Sequence, residues 1–387
     1  MKFTELYVEG YRCLVNIRRP LRPLTVMIGP NGSGKTALLD IFRLLRDASQ
    51  EKLALAVERA GGLNAILPRI ASGPERLKIA LTIDAESSRS SEPMRYQFEL
   101  APRHVGYIIP FEHFSWQLDT NQSTPYYYIK ADDENIFYVD PQNKPGVVRP
   151  TWNYNGDELA LAQVPRMYAE PEVVRSTLAN TRFFSFLDVR HRAVVRLPQP
   201  LVPTTYPGPN GENLYSALYN LRSLYPDVYD RIIEVLQIGF PNFHRLEFPV
   251  VGAGQITMTW YQDDLTAPLY PNELSEGTLR FLWLTTILLS PNLAPITLID
   301  EPEVSLHPEL LKLLAGLLQD AAMRGQVIVA THAPDLIRWL EPNEILVLDK
   351  TDSRSEVTWA DTFDLAEWLR EYTLSELWLM GTLGGRP

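Results

Sequence analysis

The sequence has a single cysteine, Cys13, among 387 residues. An internal disulfide is therefore excluded, and with it the small stapled folds of secreted domains. No apolar run approaches the ~20 residues that a membrane-spanning helix needs. Residues 1–10 read as a strand with acids in it, not as a basic segment followed by an apolar one, so no export signal is expected. These absences together predict a cytoplasmic location and no membrane partner. Positive charge is also scarce: 36 basic against 47 acidic residues give a net charge of −11. A broad nucleic-acid-binding surface would pull that balance the other way, which leaves only a local basic patch or a groove between subunits for such a partner. The six histidines are scattered without zinc-ligand spacing, and no Gly-x-Ser-x-Gly elbow is present. Cys13 is expected to pack near the first strand, not to act as a nucleophile. There is no internal repeat and no long heptad run.

What the chain does have is alternation. At both ends short apolar strands alternate with helical patterns. Residues 24–28, 296–299, 327–330 and 345–348 read as strands, and 308–322 and 334–340 as helices. Such alternation predicts a mainly parallel sheet covered on both faces. From 77 to about 138 the period changes to two, in runs at 77–83, 96–100, 114–118, 126–129 and 136–139, which predicts antiparallel sheet. Its aromatic residues suit cross-strand packing better than a base-stacking platform. Residues 158–186 are partly helical, 197–211 form a Pro/Gly-rich loop, and 213–238 are helical again. The expected organisation is an α/β core in two pieces, 1–76 and 272–387. Between them lie an antiparallel β subdomain at 77–157 and a helical lobe at 158–271.

Four motifs carry chemistry. Gly29-Pro30-Asn31-Gly32-Ser33-Gly34-Lys35-Thr36 fits G-x-x-x-x-G-K-[ST], with a strand before it and a helix after it. The glycines let the backbone turn its N–H groups inward around phosphates, and the helix start adds partial positive charge. Lys35 is then the residue for the β- and γ-phosphates, and the Thr36 hydroxyl suits Mg²⁺. The strand at 296–299 ends in Asp300 and Glu301, at the sheet edge where ligands of open α/β sheets sit. Asp300 there suits the Mg²⁺ shell, and Glu301 suits a general base for water. Leu274-Ser275-Glu276-Gly277-Thr278 opens a helix; Ser275 is a good cap, and Gly277 leaves room for a phosphate. His332 ends the strand at 327–330, at the same edge, in position for a γ-phosphate.

In this order the four motifs resemble those of ABC-type ATPases. By that resemblance 29–36 is the Walker A loop, 296–301 Walker B, 274–278 the signature, and His332 the switch histidine. The resemblance implies ATP and Mg²⁺ as ligands, and an ATP-dependent homodimer in which the signature of one subunit caps nucleotide held by the other. The opening Leu6-Tyr-Val-Glu-Gly-Tyr11-Arg12, the run Asp300-Glu-Pro-Glu-Val-Ser-Leu-His307-Pro308 and the long segment between Thr36 and Ser275 resemble the non-transporter branch that includes RecF, SMC, Rad50 and OLD-type ATPases. More narrowly, the chain is similar to bacterial predicted ATPases with an AAA_21-type core, down to its ending at 374–385. The expected fold class is thus an ABC-type P-loop NTPase: a mainly parallel core sheet, an antiparallel β insertion and a helical lobe. The resemblance further implies that Arg12 reaches phosphate and that Gln163 is the Q-loop glutamine joining Mg²⁺ to the helical lobe. Ser305 and His307 fall in the D-loop region, where the sequence departs from the usual Ser-Ala-Leu-Asp.

The function this implies is ATP hydrolysis driving dimerisation, in DNA maintenance or antiphage defence, with a nuclease or toxin effector on another chain. The alternative is the nucleotide-binding subunit of a membrane transporter, against which the long insertion argues. GTPases read guanine with Asn-Lys-x-Asp; the nearest run here, Asn143-Lys-Pro-Gly146, lacks the acid.

Overall fold

In a computed structural model, residues 1–71, 73–84, 93–116, 125–132, 135–139, 147–150 and 153–384 are described. Residues 117–118, 143–146 and Gly385, which entered the sequence reading, lie outside them. The chain begins with β1 (Phe3–Tyr11), β2 (Leu14–Pro20), β3 (Leu24–Ile28), α1 (Lys35–Ala48), α2 (Leu53–Arg59) and α3 (Leu63–Ile66). Next come β4 (Leu77–Ile83), β5 (Met94–Pro102), β6 (Tyr107–Trp116), β7 (Tyr126–Asp132), β8 (Asn135–Val139) and β9 (Val147–Val148). The middle holds α4 (Ala160–Gln163), α5 (Ala169–Ala179), β10 (Arg182–Phe184), β11 (Gln199–Pro200), α6 (Leu214–Leu224) and α7 (Pro226–Gly239). Four short strands follow: β12 (Phe243–Glu247), β13 (Val250–Gly252), β14 (Gln255–Ile256) and β15 (Thr259–Gln262). The chain then runs through α8 (Glu276–Leu289), β16 (Ile296–Asp300), α9 (Pro308–Ala322) and β17 (Gln326–Ala330). It closes with α10 (Pro334–Ile337), β18 (Ile345–Thr351), β19 (Arg354–Trp359) and α11 (Leu374–Leu379).

The expected parallel core is a six-stranded sheet in the order β10-β16-β17-β3-β18-β19, with only β19 antiparallel to its neighbour. Its strands are apolar on both sides, and each side finds a core. Leu24, Val26 and Ile28 of β3, Val327 and Val329 of β17, and Ile345 and Val347 of β18 face α6, α7, α8 and α9. Met27, Ile328, Ala330, Leu346 and Leu348 face α1 and the second sheet. Full burial of each such side chain is worth about 1.5–3 kcal/mol, so the period-two split fixes the register.

The second sheet is antiparallel, in the order β2-β1-β4-β5-β6-β7-β8-β9. It takes in the first twenty residues as well as the alternating run from Leu77, so it extends beyond 77–157. Inward residues such as Leu6, Val8, Ile79, Leu81, Tyr96, Phe98 and Phe114 meet α1, α2 and α3. The aromatics pack across strands: Phe114 stacks on Tyr128, and Trp116 meets Tyr126 edge-on. Glu112, fully buried on β6, accepts from the Tyr96 hydroxyl at 2.9 Å and the Leu161 N–H at 2.8 Å, tying the sheet to α4.

Local chemistry sets the helix ends. Residues 213–238 make two helices, because Pro226 starts α7 at its first position, where a missing N–H is harmless. Pro308 does the same for α9, after His307 as cap. The helix expected over 334–340 is helical only to Ile337. No helix among the described residues is long and apolar enough to cross a membrane.

Candidate active site

The register places three chain turns side by side. Asp300 of β16 pairs with Ala330 of β17, and Ala330 pairs with Met27 of β3. The turns that follow, at Glu301, Thr331 and Gly29, therefore leave one edge of the sheet together. Glu301 donates its N–H to Ala330 O at 2.8 Å, and Thr331 donates to Met27 O at 3.1 Å.

The loop between β3 and α1 wraps its own lysine. Lys35, buried at the first position of α1, donates to Gly29 O at 2.5 Å and Pro30 O at 3.2 Å. Gly34 caps the helix at φ 114°, a conformation that only glycine adopts easily. Asn31, Gly32 and Thr36 are exposed, and Ser33 is buried with its hydroxyl unpartnered. Behind the loop, Ser355 of β19 donates its hydroxyl to Ser33 O at 2.6 Å and its N–H to Cys13 O at 2.9 Å. Cys13 lies in the β1–β2 turn, against Gly34.

The electrostatics show which side chains gather. Burial pushes the Lys35 ammonium down to about 8, while Glu301, Asp300 and Glu303 act against that shift. Burial raises the Asp300 carboxyl, helped by Glu301 and Asp40 and opposed by Arg43 and Lys35. Burial and then Lys35 lower the His332 imidazole, with Glu301 opposing. Lys35, Asp300, Glu301 and His332, four residues named from sequence, thus share one site. Glu301 sits at φ 50°, a strained conformation for a non-glycine residue, and its side chain is exposed.

Asp40, Arg43 and Glu303 belong to the same group and were not named from sequence. Asp40 and Arg43 follow Thr36 at helical spacing on α1, which is the only sequence signal for them. Asp40 holds Arg12 at 2.7 Å and Arg43 at 3.2 Å, so Arg12 stands beside α1 in an ion pair. Gln163, expected to reach Mg²⁺, is engaged elsewhere. Its amide donates to Asn155 O at 2.9 Å and Glu158 O at 3.1 Å and accepts from Asn155 N–H at 2.8 Å. None of these bonds links it to Lys35, Thr36 or Asp300, because the loop before α4 takes the amide for its own closure.

Ser275 caps α8, accepting from Thr278 N–H at 3.1 Å, and remains exposed. A Cβ on Gly277 would collide with the carbonyl of Ser305, so the turn after Walker B packs directly on the start of α8. Among the described residues, no hydrogen bond or ion pair joins Ser275 or Gly277 to Lys35, Asp300 or His332. Arg280, one turn further along α8, is buried under the Phe186 ring with Nε and Nη2 unpartnered.

A phosphate-binding loop after β3, a histidine after the neighbouring β17 and an acid-tipped β16 beyond it, all at one edge of this sheet, define a P-loop ATPase of the ABC type. More particularly, the chain belongs to the AAA_21 family, whose model, described as "AAA domain, putative AbiEii toxin, Type IV TA system", matches residues 24–338. Over 40 residues it is 56% identical to the OLD nuclease of Thermus scotoductus, a stretch that makes up 10% of this chain and 8% of that nuclease. Its fold is that of an SMC head. The structure of an SMC head bound to the C-winged helix domain of ScpA matches with a TM-score of 0.56 at 12% identity, over 96% of this chain and 100% of that one. An SMC head with an extended coiled coil, bound to the C-terminal domain of ScpA derived from Pyrococcus furiosus, matches at 0.55 and 11% identity, over 95% and 99%. The family match thus gives an AAA_21-type ATPase, and the structural likenesses give its fold.

Proposed function

We propose that ATP is hydrolysed at a site shared by two copies of this chain. The observation that supports the reading is that Lys35, Asp300, Glu301 and His332 form one group, while among the described residues no hydrogen bond or ion pair joins Ser275 or Gly277 at the exposed start of α8 to it. In a symmetric pair, Ser275 and Gly277 of one copy face the phosphates held by Gly29 to Thr36 of its partner, and each copy does so in turn. Lys35 and the loop N–H groups hold the phosphates. Glu301 orients the attacking water and accepts its proton, and His332 contacts the γ-phosphate. Arg12 stands on the α1 side, available to phosphate after release from Asp40.

The donor set suits Mg²⁺. The exposed Thr36 hydroxyl and the Asp300 carboxylate beside Lys35 are hard oxygens, and a nucleotide-bound Mg²⁺ asks the protein for only one or two such groups. When bound, that ion neutralises phosphate charge. Closing two half-sites supplies the positioning and charge complementarity on which phosphoryl transfer depends.

The cycle serves a separate nuclease or toxin effector in DNA maintenance or antiphage defence. The short stretch shared with a nuclease and the toxin–antitoxin description of the family support this assignment. Light scattering on Glu301→Gln tests the shared site. With Mg-ATP its mass should double from about 44 kDa, because ATP is held and not released. Lys35→Ala should stay at the lower mass. A Glu301→Gln monomer under saturating Mg-ATP would overturn the reading.

A further inference from the structure

Between Walker B and α9 the chain makes a tight turn whose shape is fixed at both ends. Glu301 and Ser305 both have positive φ, and Leu306 N–H closes on Glu303 O at 2.9 Å. Inside that turn Glu303 folds its carboxylate back toward the sheet. Oε1 accepts the backbone N–H of His332 at 2.8 Å; burial raises the carboxyl, and the His332 N–H and the Thr331 hydroxyl oppose that shift. The other bonds around this segment fall on its flanks: Thr331 N–H goes to Met27 O, and Ala333 N–H goes to the Thr331 hydroxyl at 3.0 Å. Among the described residues, the Glu303 bond alone lands on His332 itself, and it comes from the turn that also carries Glu301.

We propose that Glu303 is a positioning residue for hydrolysis, setting His332 against the γ-phosphate through the histidine's own peptide N–H. A hydrogen bond from a peptide N–H to a carboxyl oxygen in a buried place resists exchange with water. It makes the position of His332 a function of the turn at 301–306. Glu301 and His332, which act on opposite partners of the same displacement, then move as one unit. The same turn packs on Gly277 through Ser305, so docking of a second copy at α8 reaches His332 by way of Glu303. The proposal rests on the reading of His332 given above.

The test is steady-state ATPase kinetics and ATP affinity of the full chain carrying Glu303→Ala, Glu303→Gln, His332→Ala and the double change. Glu303→Ala should lower kcat by about 10²-fold, the scale of a misplaced group, with ATP affinity little changed. Glu303→Gln keeps an oxygen acceptor for the His332 N–H and should recover most of the loss. The double variant should be no slower than His332→Ala, because both changes remove one interaction. If Glu303→Ala does not fold, Glu303→Asp, which keeps the charge but shortens the reach, takes its place. Unchanged kcat, an affinity loss as large as the kcat loss, or additive losses in the double variant would each overturn the tether. Wild-type turnover by His332→Ala would instead overturn the reading of His332, and the tether with it. An impaired His332→Ala beside an intact Glu303→Ala removes the tether alone.

Discussion

Lys35 carries its charge where the protein resists charge. Its ammonium is buried, its ordinary value of 10.5 falls to about 8, and its hydrogen bonds go to two carbonyls of its own loop. In the free protein this depression makes the charged form a cost to folding below about pH 8, relieved as pH rises toward 10.5. The lysine therefore serves a ligand and not the fold. A triphosphate brings negative charge beside the nitrogen and raises its pKa in the complex. Between about 8 and that higher value, binding takes up a proton, so ATP affinity falls as pH rises through the window. Below about 8 the ammonium is already charged and contributes no slope. Calorimetric titration near pH 9 in two buffers of different ionisation enthalpy should show proton uptake approaching one, and near pH 7.5 far less. Lys35→Arg has no proton to gain and should lose the difference between the two conditions. Equal uptake in both proteins would mean that another group titrates.

At the scale of elements, the phosphate loop depends on a strand that no motif marks. Ser355 of β19 holds Ser33 O from behind, and its hydroxyl lies 2.6 Å from where a Cβ on Gly34 would stand. Pulling that carbonyl outward leaves the neighbouring N–H groups free to point inward. Ser355→Ala leaves a buried carbonyl unsatisfied, at a cost of about 1–3 kcal/mol. The expected outcome is an ATP Kd raised by roughly tenfold with kcat nearly unchanged, and a modest fall in Tm. A lowered kcat at unchanged Kd would count against a binding role. This contact also marks where sequence reading stops. Lys35, Asp300, Glu301, Ser275 and His332 were legible because each lies at a strand or helix end inside a short local pattern. Ser355 meets Ser33 across more than three hundred residues, and Glu303 meets His332 only through the packing of two turns. The strand character of β1 was legible from alternation, whereas its place in the antiparallel sheet depends on pairing with β4, some seventy residues away. Gln163 matched its expected position in the order of elements, yet its loop closed on the amide first.

At the scale of the whole molecule, two hydrophobic cores lie on opposite faces of one parallel sheet, and the motifs divide between them. α1, with the phosphate loop at its start, belongs to the core shared with the antiparallel sheet. α8, with Ser275 at its start, belongs to the core on the other face. On the proposed reading these two helix starts are the two halves of a site, and a second copy related by a two-fold axis completes both halves at once. This arrangement makes a prediction that no single-chain site shares. Lys35→Ala abolishes nucleotide binding in its own loop but keeps a sound α8. Ser275→Arg blocks the start of α8 but keeps a sound loop. Each variant alone should be inactive, because every site in either homodimer contains one defect. Mixed in equal amounts, about half of the pairs are heterodimers, in which one site combines two damaged halves and the other combines two intact ones. Turnover should then return to at most about a quarter of the wild-type rate, and only when both proteins are present. Recovery should rise with total concentration as pairing saturates. A mixture as inactive as its components would mean that the loop and the α8 start do not meet across a pair, whereas activity in Ser275→Arg alone would place the whole site within one chain.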